Sequence, residues 1–316
     1  MQATVPALVV IRVGVVGFGV MGRRHVGAIS RVAGMVPVGV TDTHAHTHEP
    51  VAGVPVVDSL GVLLNLGVDA CVVASPSPDH VVTAVQLAAA GVHALVEKPL
   101  AMDLAECDEI LAAFHASSAV ARVAHVERFN QSVIAARRCI ASGELGVIRE
   151  LVTHRLAAAP RRSDGGDALL DLGTHDVDLA GWLLRDAFAP VSVHAAPLGG
   201  MPIEEAAEMT TESRGGLRTS HVVSVRSDAR VRTLSVRGDA GRLDADLLTG
   251  RLSSSVRCDV ALPASHDPLT SQLEAFRDLI LGRLGPEDPT AGASLEEGAR
   301  AVALTREAMA AAPSCR

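Results

Sequence analysis

Short apolar runs alternate with helix-length segments over the first third of the chain. Val9 to Val16, Val36 to Thr41, Ala70 to Ala74, Ala94 to Glu97 and Val120 to Val126 each read as strands. Strands alternating with helices build βαβ units, which imply a parallel sheet with helices on both faces. From about Gly146 the texture changes. Leu217 to Arg226 and Arg232 to Arg237 alternate apolar and polar residues with period two, and Gly-Asp and Thr-Gly pairs mark turns, so a second, mostly antiparallel sheet is expected. The chain closes on helical patterns, Pro268 to Leu281 and Ser294 to Ala312, the latter opened by Ser294 and Glu297 at capping-box spacing. The pattern predicts an α/β protein: an N-terminal doubly wound parallel sheet, then a C-terminal α+β domain.

Length and composition narrow the function. A chain of 316 residues that is 48% hydrophobic suits two domains, and two domains offer a cleft. The formal net charge of -8 argues against a nucleic-acid or anionic-membrane partner and favours a small molecule. No stretch of about 20 uncharged apolar residues is present. The first apolar run is interrupted by Arg12 and leads into a glycine motif rather than a cleavage site, so a cytoplasmic protein is expected. Five cysteines, Cys71, Cys107, Cys139, Cys258 and Cys315, show no CxxC or metal-ligand spacing and read as reduced and structural. Tyrosine is absent, which excludes mechanisms that use a phenol as proton donor. Among 28 basic residues only Lys98 is lysine, the one compact, titratable ammonium in an arginine-rich chain.

Three constellations carry chemistry. Gly17-Phe18-Gly19-Val20-Met21-Gly22 follows the first strand and opens a helical stretch, the context in which GxGxxG binds a dinucleotide. Gly17 permits the tight turn, Gly19 the approach of pyrophosphate and Gly22 close helix–strand packing, while the helix N-terminus supplies amides. Asp42 ends the second strand, where its carboxylate can accept the ribose hydroxyls and repel a 2′-phosphate. With no arginine at Thr43 or His44, NAD is expected over NADP. His44, His46 and His48 read as solvated loop residues rather than metal ligands, and no metal is expected. Ser75, Pro76 and His80 follow the next strand at the ligand edge of the sheet. Ala94 to Leu100 then delivers Glu97, Lys98 and Pro99 to the same edge, over the expected nicotinamide. The third constellation runs from Gly165 to Trp182. If it is helical, Asp171, His175 and Asp178 fall within about 60° of one face, opposite Leu172, Leu179 and Leu183. Carboxylate and imidazole also suit a divalent ion, but the dinucleotide motif makes hydride transfer the more economical reading.

At these residues the chain resembles the Gfo/Idh/MocA oxidoreductases. The likeness rests on Gly17-x-Gly19-x-x-Gly22, Glu97-Lys98-Pro99, Ala124-His125-Val126-Glu127-Arg128-Phe129-Asn130, Gly146 and Asp171-x-Gly173-x-His175-x-x-Asp178. It implies a Rossmann domain over 1–124 and a catalytic domain over 125–316 with an open, mainly antiparallel sheet. It also implies a cis Lys98-Pro99 bond and a homodimer or homotetramer assembled through that sheet's exposed face. Lys98, Asp171 and His175 are implied at the reacting hydroxyl of a sugar, nucleotide sugar or cyclitol, with Arg128, Asn130 and Asp178 as further substrate contacts and Glu97 beside the cofactor. His175 suits the proton transfer, its ordinary pKa being about 6.5. Two alternatives share the fold: a glycoside-cleaving enzyme using NAD without net redox, and a non-catalytic dinucleotide sensor.

Overall fold

The computed structural model describes residues 9–43, 53–158, 167–185, 188–258 and 267–312. They divide into two units, Met1–Ala124 with Leu269–Leu295, and His125–Pro268 with Glu296–Arg316.

The first unit holds β1 (Ile11–Val16), α1 (Val20–Ile29), β2 (Met35–Thr41), β3 (Val56–Val57), α2 (Leu60–Asn65), β4 (Ala70–Val73), α3 (His80–Ala89), β5 (His93–Val96), α4 (Leu104–His115) and β6 (Ala121–Val123). All strand pairs are parallel, in the order β3-β2-β1-β4-β5-β6. The order reverses between β1 and β4, and a crevice for a ligand opens at such a switch point, outside the carboxyl ends of the strands. β1 and β4 are apolar because both faces are covered; Arg12, the one exposed residue of β1, turns outward and donates to the carbonyls of Leu66 and Gly67 at 2.7 and 2.8 Å.

A continuous C-terminal domain over 125–316 is not what the structure shows. Helix α7 (Pro268–Ile280) sends Leu273 and Phe276 into the core built on Ile11, Val13, Val15 and Leu95, so Leu269–Leu295 belongs with the nucleotide-type sheet. Burial of those two side chains outweighs the helix's place in sequence.

The second unit holds α5 (Gln131–Ala141), β7 (Ile148–Ala158), α6 (Thr174–Leu184), β8 (Pro190–Pro197), β9 (Ala206–Ser213), β10 (Arg218–Ser227), β11 (Val231–Gly238), β12 (Arg242–Asp246), β13 (Leu252–Ser254) and most of α8 (Leu295–Ala311). Its seven strands run β13-β12-β11-β7-β10-β9-β8, antiparallel except where β7 meets β10. Period-two alternation sends Leu151, Val223, Leu234, Val236 and Leu243 into one core with Leu169, Leu179 and Leu183. The other face is polar and bonded across strands: Ser220 donates to Glu208 at 2.7 Å, and Asp244 accepts from Ser235 and Arg242. Edge strand β8 begins and ends in proline, which limits further strand pairing.

Cys139 on α5 is bonded to Cys258, with Cα atoms 5.3 Å apart, which corrects the expectation of uniformly reduced cysteines. The partners are 119 residues apart in sequence, a pairing that only the tertiary fold brings about. Cys71 and Cys107 are buried free thiols; burial pushes both up to about 12 and keeps them protonated. Among the described residues no helix is long and apolar enough to cross a membrane.

His221 on β10 is fully buried, with Nδ1 2.9 Å from Thr153 Oγ1. Burial, then the charge of Arg155, lowers its pKa from 6.5 to about 3. Below pH 6.5 the unfolded chain binds a proton that the folded chain refuses, so this residue lowers stability progressively as pH falls toward 3. Urea unfolding followed by Trp182 fluorescence therefore gives His221→Gln a flatter stability profile between pH 6.5 and 4 than wild type; parallel profiles refute the assignment.

Candidate active site

β1 leads directly into the glycine motif. Gly17 has φ of +90°, and a Cβ there would lie 2.5 Å from Ala74 O. At Gly22 a Cβ would meet Gly17 O at 2.0 Å, so both positions require glycine. Gly19 is different: a Cβ would meet nothing within 4 Å, and no side chain caps the N-terminus of α1 that follows it. Open space in front of uncapped amides, beside exposed Val20 and half-buried Met21, fits an entering pyrophosphate. Phe18 N–H donates to Asp42 Oδ2 at 2.6 Å, which fixes that carboxylate against the glycine turn. Arg23 lies over the Phe18 ring at 4.2 Å, and Thr43 is exposed. His44, His46 and His48 lie outside the described residues.

Ser75 and Pro76 form the next loop. Ser75 Oγ is buried with no hydrogen-bond partner, a donor and acceptor left for a ligand at this edge. The structure thus offers a cradle at Gly19, an aligned carboxylate at Asp42 and an orphaned hydroxyl at Ser75, which together fit a dinucleotide.

His80 and Glu97, expected beside the cofactor, are both buried. His80 is 1% exposed, its Nδ1 2.9 Å from Pro99 O and its Nε2 3.1 Å from Ser75 O. Burial holds its pKa below the ordinary value, and a neutral ring has one N–H to donate between those two carbonyls. Glu97 Oε1 lies 2.8 Å from Nε2 of His25, and Glu97 Oε2 accepts from Lys98 N at 3.2 Å. Burial works to raise the Glu97 pKa, but the hydrogen bond to His25 and the electrostatics of His25 and Lys98 prevail and hold it low. Lys98 itself is half-buried, and the Lys98-Pro99 bond is cis.

In the second unit the expected ionisable stripe takes another form. The segment begins as a π-helical turn, Leu169–Gly173, and continues as α6. The wide turn changes the side-chain phase, so Asp171, half-buried, precedes His175 on a turn of different pitch; such turns recur at functional sites. His175 is 9% exposed. Asp178 is not a free member of the stripe, because Arg128 grips it with Nε at 2.9 Å and Nη2 at 2.5 Å. The third Arg128 nitrogen donates to Glu297 at 2.9 Å, and burial leaves Arg128 and Asp178 each 5% exposed.

Asn130 is also committed: it caps α5, accepts from Ser132 N and Oγ, and donates to Glu127 at 3.1 Å and Leu247 O at 2.9 Å. That uses the amide's full hydrogen-bonding capacity. Arg128, Asn130 and Asp178, expected to contact substrate, are thus each bonded within their own chain.

Sequence reasoning missed the groups standing behind His175. His125 places its ring edge-on to that of His175, centroids 6.0 Å apart, with Nδ1 3.8 Å from Asp178 Oδ2. Asp176 accepts from Arg155 at 2.9 Å, and Arg155 also donates to Glu127, which receives Arg232 as well. The two arginines hold the Glu127 pKa low despite its burial, whereas burial leaves Asp176 raised. His125 belongs to the 124–130 segment, but nothing in its spacing points to His175.

Residues 11–125 match the model of an oxidoreductase family with an NAD-binding Rossmann fold, and residues 133–244 match the GFO/IDH/MocA C-terminal domain. The chain belongs to the Gfo/Idh/MocA oxidoreductase family. Among relatives, a UDP-N-acetylglucosamine 3-dehydrogenase of Acidithiobacillus ferrooxidans is 32% identical over 63% of this chain and 61% of that protein. An inositol 2-dehydrogenase of Saccharopolyspora erythraea is 35% identical over 58% of this chain and 57% of that protein. The matched region therefore spans less than two thirds of either relative. The solved structure of the Acidithiobacillus ferrooxidans UDP-N-acetylglucosamine 3-dehydrogenase superposes with a TM-score of 0.84 at 25% identity, covering 96% of this chain and 98% of that one. The glycine cradle and the Lys98 turn lie within the first matched segment, and the π-helical entry to α6 within the second.

Removing one partner of a buried ion pair strands the other charge, at a cost of about 3–5 kcal/mol. Arg128→Met should destabilise the second unit by that amount in urea unfolding read by Trp182, the ring that Arg137 overlies at 4.1 Å. Asp178→Leu added to it should recover part of the loss; a further additive loss would show that the pairing is not the source.

Proposed function

We propose that this chain is an NAD-dependent dehydrogenase acting on a ring hydroxyl, or the corresponding ketone, of a sugar, nucleotide sugar or cyclitol. The carrying observation is the open cradle at Gly19 with Asp42 fixed against it by Phe18 N–H. His175, Asp171 and the single lysine supply the proton chemistry. The two relatives named for activity on a nucleotide sugar and on inositol support the substrate class.

When bound, the nicotinamide supplies the hydride acceptor. The chain does the rest. The amides that open α1 hold the pyrophosphate, and Asp42 accepts the adenosine ribose hydroxyls, where a 2′-phosphate would meet a like charge; NAD is therefore preferred to NADP. His175 has its Nδ1 enclosed, so Nε2 takes the hydroxyl proton. The Lys98 ammonium stabilises the developing alkoxide, and Asp171 orients the imidazole or binds a neighbouring hydroxyl. The polar outer face of the β8–β13 sheet forms the homodimer or homotetramer contact, and the enzyme works in the cytoplasm.

The test is NADH formation with NAD and a panel including myo-inositol and UDP-N-acetylglucosamine. His175→Ala and Lys98→Ala should each lower kcat by about 10²- to 10⁴-fold with little change in NAD affinity. Asp42→Ser should shift preference toward NADP. Equal turnover in wild type and Lys98→Ala would overturn the reading.

A further inference from the structure

His25 and Glu97 form a hydrogen-bonded pair enclosed within the first unit, 0% and 7% exposed, so neither presents itself to a ligand. His25 sits on α1, the helix whose N-terminal turn carries Val20, Met21 and Gly22. Through Nε2 it holds Glu97 Oε1, and the other Glu97 oxygen accepts the backbone N–H of Lys98. On the far flank His80, from α3, contacts Pro99 O at 2.9 Å. The turn bearing the single lysine is thus gripped on both sides, once from the dinucleotide helix and once from α3.

A Lys ammonium rides on a flexible four-carbon stem, so its placement depends on how firmly the backbone beneath it is held. A carboxylate that bonds the next residue's N–H fixes the peptide plane at the root of that stem. Keeping such a carboxylate ionised inside a protein requires a partner, and His25 is the nearest donor to it.

We propose that Glu97 is a positioning residue for Lys98, with His25 as its partner, so that the helix receiving the pyrophosphate also fixes where the ammonium stands. The inference rests on the dehydrogenase reading of Lys98. It differs from a cofactor contact in its consequence: loss of the pair displaces the lysine and leaves dinucleotide binding in place. A misplacement of about 1 Å at a reacting group can cost about 100-fold in rate.

The experiment compares Glu97→Gln, His25→Leu and His25→Gln by NAD dissociation constant, single-turnover hydride transfer and the NMR signal of Lys98. The chain has one lysine, so reductive ¹³C-methylation yields one dimethyl-lysine resonance, distinct from that of the N-terminal amine. Glu97→Gln and His25→Leu should lower the transfer rate up to about 100-fold, hold NAD affinity within about twofold, and broaden or split the lysine resonance. His25→Gln, which keeps an N–H donor, should recover most of the rate and a single resonance.

Unchanged rates, a failure of His25→Gln to recover where His25→Leu loses, or a fall in NAD affinity in step with turnover would each overturn the proposal. The last result would mean that the pair merely holds the unit together. Lys98→Ala is the control: full turnover there sinks the dehydrogenase reading itself, whereas an inactive Lys98→Ala beside a fully active Glu97→Gln sinks only this inference.

Discussion

A buried carboxylate is costly unless a cation or donor faces it, and the residues behind the candidate site are arranged around that requirement. Glu97 has His25 and the Lys98 amide; Glu127 has Arg155, Arg232 and Asn130; Asp176 has Arg155; Asp178 has Arg128. The side-chain partners among them tie together elements distant in sequence: α1 to the end of β5 through His25, the turn at Glu127 and Arg128 to β7, β11 and α6, and α6 to β7 through Arg155. The side chains expected to do chemistry, Lys98 and His175, are chain neighbours of Glu97 and Asp176. Their backbones are held by charges that cannot separate without stranding a buried ion.

This arrangement explains what the sequence shows and what it hides. Strands such as Ile11–Val16 and the alternation of β10 and β11 are local patterns, readable without tertiary information because the side-chain period is fixed by backbone geometry. Gly17 and Gly22 are legible for a related reason: a Cβ at either would collide with backbone only a few residues away or on the adjoining strand end. Arg128, Asn130 and Asp178 were legible as polar residues in the right segments, yet not as partners of one another, because a residue's type does not reveal which way its side chain points.

The non-local features were the ones beyond reach. Cys139 and Cys258 meet only because α5 packs near the end of the β13 edge, and no spacing rule anticipates a loop of 119 residues. Helix α7 reads as a C-terminal amphipathic helix whichever core it joins; the fit of Leu273 and Phe276 beside β1 decides the matter. The two-residue β3 carries too little pattern to register. The π-helical turn at Leu169–Gly173 differs from an α-turn by one residue of hydrogen-bond register, a difference that hydrophobic periodicity over five residues does not resolve.

The arginine-rich composition has a structural counterpart. Arg128 and Arg155 each spend several nitrogens on more than one carboxylate, a use suited to a planar guanidinium with five donors and denied to a compact ammonium. Burial works against their charge, but those carboxylates prevail and raise both pKa values, so both guanidinium groups stay charged at any working pH. A group that must bear on a reacting oxygen has the opposite requirement: a concentrated charge on one movable atom, with its position set from below rather than by its own fork of bonds. Lysine at 98 and arginine at 128 and 155 are therefore not interchangeable. The single lysine marks the one place where the chain needs a point charge held in position by the backbone.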